Sequence, residues 1–61
     1  MSYRIVNTTD RQHLGKVLLE LPLTGSELKL GDSFFEIISI KRIGGIIKII
    51  SYNYIVEVVG V

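Results

Sequence analysis

Little in this chain is equipped to make or break bonds. It contains no cysteine, and His13 is its sole imidazole. Neither a thiol nucleophile nor a structural zinc site built on Cys and His is therefore expected. Ser2, Ser26, Ser33, Ser39 and Ser51 all lack the Gly-x-Ser-x-Gly context that exposes a nucleophile on a strand-to-helix elbow. His13 falls in a polar stretch and is read as a solvated side chain on a surface turn. Glu20, Glu27, Asp32 and Glu36 gather in the middle of the sequence. General acid–base work needs such groups held in a cleft with separated pKa values, and a chain this short has little room for one. Asp32 follows Gly31 and reads as a turn former that bonds nearby backbone N–H groups. Gly44-Gly45 opens no helix, so it lacks the context of a phosphate-cradling loop. The chain is read as a non-enzyme, with no catalytic residue, metal or cofactor.

Binding chemistry is better represented. Arg4, Arg11 and Lys16 outweigh Asp10 in the first sixteen residues. Four acids then outweigh Lys29, and Lys41, Arg42 and Lys48 outweigh Glu57 in the rest. If the two basic ends meet in one sheet, Arg4, Lys16, Lys41 and Lys48 form a modest basic face. Tyr52 or Tyr54 would offer stacking platforms beside it, each worth about 1–3 kcal/mol per base. The overall charge is only +1, which is no strong footprint for nucleic acid. That reading is carried as the alternative.

The leading reading comes from excess hydrophobicity. The chain has ten Ile, seven Leu, six Val and no Ala. β-Branched residues suit the pleated surface of a sheet, so an all-β fold is expected. Phe34–Tyr52 organises it: two Ile- and Phe-rich runs flank Gly44-Gly45, the signature of a hairpin closed by a two-residue turn. If both glycines take φ > 0, as a type I′ turn requires, Ile43 faces Ile46, Lys41 faces Lys48 and Ile38 faces Ser51. Ile38, Ile40, Arg42, Ile47, Ile49 and Ser51 then share one face. The other carries Ile37, Ser39, Lys41, Ile43, Ile46, Lys48, Ile50 and Tyr52. Neither face is polar. One fills the interior, and the other leaves an apolar patch of the kind that marks interfaces. Ile43, Ile46 and Ile50, with Ile55 or Val59 from the last strand, are the expected interface. The facing Lys41 and Lys48 require solvation, an acid such as Glu57, or an external anion.

The remaining elements are shorter. Ser2–Asn7 reads as a strand with Tyr3 and Ile5 inward. Thr9–Leu21 has a helical stripe in Leu14, Val17, Leu18 and Leu21, and also a strand-like alternation from Lys16. Gly15 would cost about 1 kcal/mol inside a helix. The reading is therefore a turn over Thr9–Leu14 and a strand over Lys16–Leu21. Pro22–Ser26 is a loop, Glu27–Leu30 a short extended piece, Tyr52-Asn53-Tyr54 a kink, and Ile55–Val61 the last strand. The whole, residues 1–61, is expected to form a single small five-stranded, partly open barrel of the SH3-like or OB-like kind. At most one or two helical turns are expected.

A chain of 61 residues without cysteine must stabilise itself by a dense core, by self-association, or both. The apolar C-terminal third is interrupted by Gly44-Gly45, Lys48, Ser51, Asn53 and Glu57, which argues against a membrane span. No secretory leader is read in the N-terminus, so the expected location is the cytoplasm. The expected function is a non-enzymatic binding module that acts through protein contacts, with a second copy of itself or another protein as partner. The alternative is a nucleic-acid-binding barrel.

Overall fold

The computed structural model describes residues 1–61. It is all-β, with seven strands and no helix. These are β1 (Tyr3–Thr8), β2 (Val17–Leu18), β3 (Glu27–Leu30), β4 (Ser33–Glu36), β5 (Ser39–Ile43), β6 (Ile46–Ile50) and β7 (Ile55–Gly60). Five form one antiparallel sheet in the order β2-β1-β7-β6-β5; β3 and β4 form a separate two-stranded ribbon. Pairing of β1 with β7 joins the two ends of the chain in the middle of this open sheet, and the small globule is consistent with a barrel-like all-β fold. One core joins the two sheets: Leu28 and Leu30 from the ribbon pack with Ile5, Ile47, Ile49, Val56 and Val58 from the main sheet.

The expected hairpin register is observed from Ile43↔Ile46 to Ser39↔Ile50, with Lys41 opposite Lys48. It does not extend to Ile38 and Ser51. The Ile38 N–H instead donates to the Ile50 carbonyl, 2.8 Å away. One residue earlier, Ile37 bonds to the other sheet: its N–H donates to Ser26 and its carbonyl accepts from Gly25, both at 2.9 Å. The long strand thus crosses between sheets at Ile37–Ile38 and is divided into β4 and β5. A slip of one residue exchanges the faces. Ile37, expected on the outer face, is fully buried, whereas Ile38 is exposed.

The turn also differs from expectation. Gly44 has φ +61°, but Gly45 lies outside the positive-φ region. Positive φ at the first central position alone is the pattern of a type II′ turn. A Cβ at either position meets nothing within 4 Å, so only the backbone distinguishes them. Gly44→Ala is expected to cost about 1–3 kcal/mol, the usual penalty for forcing a side-chain-bearing residue into a sparsely populated positive-φ conformation. Gly45→Ala should be neutral or gain about 0.4–1 kcal/mol by restricting the unfolded chain. Urea midpoints of the two variants check the difference.

Thr9–Leu14 forms turns, not a helix, and Gly15 ends them at φ +84°. The strand expected over Lys16–Leu21 shrinks to Val17–Leu18. Tyr3, the first residue of β1, already pairs with Leu18, so the ladder runs out. In β1, Val6 is an extra residue between the pairs Ile5↔Val58 and Asn7↔Glu57. That bulge keeps Thr8 inside and turns Asn7 outward. No helix is long and apolar enough to cross a membrane.

Candidate functional site

Strand register assembles the outer face of the main sheet from three cross-strand rows. The first runs Ile43, Ile46, Val59, Arg4 across β5, β6, β7 and β1. The second runs Lys41, Lys48, Glu57, Asn7. The third runs Ser39, Ile50, Ile55. Alternation explains the face: Ile47 and Ile49 in β6, and Val56 and Val58 in β7, point into the core, so their neighbours point out. Ile43, Ile46, Ile50, Ile55 and Val59 therefore lie together on one surface. Ile43, Ile46 and Ile55 are each at least 40% exposed.

The middle row is charged. Lys48 Nζ lies 3.9 Å from Glu57 Oε2, and Asn7 Nδ2 donates to Glu57 Oε1 at 3.0 Å. Glu57 thus offsets one member of the facing lysine pair, and Lys41 remains exposed at the sheet edge.

The residues of the alternative site separate. Arg4, Lys41 and Lys48 share the outer face, but Lys48 is tied to Glu57. Lys16 stands in the turn segment before β2. Tyr52 is exposed beyond the end of β6. Tyr54 is no stacking platform: it is buried, and its ring stacks on Phe35 with centroids 4.1 Å apart.

His13 corrects the expectation of a solvated side chain. It is only 12% exposed, and Nδ1 lies 3.2 Å from Asp10 Oδ2 and 3.1 Å from the Tyr54 hydroxyl. Thr8 Oγ1 and the Gln12 N–H both donate to Asp10 Oδ1, at 2.9 and 3.0 Å. The cluster pins the Thr9–Leu14 turn to the core. Beside the acid and the imidazole it holds the Thr8 and Tyr54 hydroxyls, both bonded within the cluster, and Nε2 lies next to Gly31. No group of three His, Cys, Asp or Glu is placed to hold a metal ion.

Desolvation alone would raise the Asp10 carboxyl. Hydrogen bonds from Tyr54, the Gln12 N–H, Thr8 and His13 outweigh it and lower the pKa from 3.8 to about 2. A carboxyl lowered on folding stabilises the fold above its unfolded pKa, and that contribution disappears as pH falls. The stabilisation should be intact above about pH 4 and lost between about pH 4 and pH 2. Asp10→Asn should flatten this part of the profile, as read from denaturant midpoints at pH 6, 4 and 2.5. Tyr54 shifts upward, first through burial and then through the bond of its hydroxyl to Asp10. Its contribution is present below pH 10 and fades as the unfolded chain ionises above it.

A groove of about 410 Å3 opens where the ribbon meets the Tyr52-Asn53-Tyr54 kink. Phe35 and Tyr54 lie in it as a stacked pair, with the more exposed Phe34 and Tyr52 beside them. The buried Ser51 holds the two sides together, its Oγ donating to the Glu36 carbonyl at 2.6 Å. Sequence reasoning missed this groove. Its signal was present in Phe34-Phe35 and Tyr52-x-Tyr54, four of the chain's five aromatics in two short clusters.

No family model matches the chain, and neither the curated proteins nor the solved structures contain a match.

Proposed function

We propose that the chain is a non-enzymatic binding module that works through protein contacts and pairs with a second copy of itself through the outer face of its main sheet. The observation that carries this reading is the pattern on β6 and β7. Two apolar cross-strand pairs, Ile46↔Val59 and Ile50↔Ile55, flank one charged pair, Lys48↔Glu57. A two-fold axis in the interface, running along the strands between β6 and β7, makes that pattern complementary to itself. Ile46 then meets the second copy's Val59, Ile50 meets its Ile55, and Lys48 meets its Glu57. An axis perpendicular to the strands, passing through the middle row, would instead set Lys48 on its own copy. Closed two-fold pairing is the commonest way for one patch to bury itself, and facing sheets about 10 Å apart bring long side chains within reach of each other.

The size of the chain supports the same reading, since a core this small supplies only about 3–5 kcal/mol. The test is size-exclusion chromatography with light scattering, alone and with mixed oligonucleotides. A dimer mass at high micromolar concentration, held as salt rises, is the expected result. A strict monomer overturns self-association. An oligonucleotide complex that dissolves steeply with salt would favour the nucleic-acid alternative.

A further inference from the structure

We infer that the aromatic groove at the end of the β3–β4 ribbon is a second binding site, and that its occupant is an extended segment of another protein presenting an arginine side chain. The groove is independent of the sheet face described above. At about 410 Å3 it falls in the range of ligand clefts and exceeds what a single side chain fills, so the fitting partner is a segment.

Charge selects the kind of segment. Glu27 and Glu36 sit directly opposite each other on β3 and β4, an arrangement that is unfavourable for like charges. Neither takes part in an ion pair; the two salt bridges of the chain are His13–Asp10 and Lys48–Glu57. The nearest cation on the ribbon, Lys29, lies over the ring of Phe34 at 5.6 Å and pairs across the strands with Phe34, not with either acid. The Glu36 carboxylate lines the groove beside four aromatic rings. Tyr52 spans it, its hydroxyl 3.4 Å from Glu36 Oε2, which leaves Oε1 free to accept.

A planar guanidinium suits this combination. It stacks on aromatic faces and at the same time donates to a carboxylate through its fixed fork of N–H groups. An acidic segment is repelled by the Glu36 carboxylate, the one charged group lining the groove, and a nucleic-acid strand is repelled for the same reason despite the stacking surfaces.

The experiment is an NMR titration of the whole chain with the blocked pentapeptide acetyl-Gly-Pro-Arg-Pro-Gly-amide. The isosteric citrulline peptide and a mixed-sequence oligonucleotide serve as comparisons. The expected result is shifts confined to Phe34, Phe35, Glu36, Tyr52 and Asn53, with roughly tenfold weaker binding by the citrulline peptide. Glu36→Gln and Phe34→Ala should each weaken the arginine peptide by a similar factor. Phe34 is mostly exposed, so its removal leaves the core intact. Equal binding of arginine and citrulline peptides, shifts outside the groove, or preferential binding of the oligonucleotide would each overturn the inference. Repeating the titration on Ile50→Glu separates this site from self-association: groove binding persists in that variant whatever its oligomeric state.

Discussion

Lys48→Glu and Glu57→Lys are each expected to leave the chain monomeric, and an equimolar mixture of the two to restore a dimer. In the two-fold arrangement, Lys48 of one copy lies over Glu57 of the other. Lys48→Glu makes both positions of the central row acidic, and Glu57→Lys makes both basic. Either homodimer then stacks like on like twice, which should weaken association by roughly 100-fold or more, about 3 kcal/mol. In the mixture every crossing joins an acid to a base. Light scattering of each variant and of the mixture reads the effect directly.

The mixture also separates the two roles of the ion pair. Within one chain Lys48 and Glu57 are 3.9 Å apart with roughly a quarter to a third of each side chain exposed, and a pair of that kind contributes about 0–1 kcal/mol to the fold. Both variants lose that contribution, and mixing cannot return it. Dimer formed only on mixing therefore reports contact between copies. A mixture that stays monomeric while the wild type dimerises places the axis elsewhere on the face.

The outer face was legible in the sequence because its residues sit on regular ladders. Once Gly44-Gly45 closes the hairpin, period-two alternation assigns every residue from Ser39 to Ile50 to a face. Ile43, Ile46 and Ile50 follow, and Ile55 and Val59 join them through the β6–β7 register. Legibility ended where ladders end. The exchange of Ile37 and Ile38 arises from a crossing between sheets, and the bond that sets it comes from Gly25 and Ser26, eleven or more residues away in sequence. No local pattern encodes that partner. His13 was misread for a related reason. Its polar neighbours indicate a turn, but its burial depends on Tyr54, 41 residues away. The groove was missed because the rings alternate along the chain between interior and surface, and only the fold brings the two clusters together.

Neighbouring residues on β6 should fail in opposite ways. Ile49 is 1% exposed and is flanked by Ile40 on β5 and Val56 on β7. Ile49→Ala removes buried methyl groups from the middle of the core and costs about 2–5 kcal/mol. Set against the roughly 3–5 kcal/mol that a core of this size supplies, a loss at the upper end of that range unfolds most of the population, and Ile49, at the centre of the sheet, is placed for such a loss. The amide proton spectrum should collapse toward random-coil positions at 25 °C. Ile50, one residue on, points to the outer face and pairs with Ser39 and Ile55. The nine-residue core lies wholly within one chain and does not include it. Ile50→Glu should therefore keep a dispersed spectrum and lose the dimer. Its melting temperature should fall below that of the wild type and stop depending on protein concentration, because association no longer adds to stability. A folded Ile49→Ala beside an unfolded Ile50→Glu would mean that the two faces of β6 are reversed, and with them the assignment of core and interface.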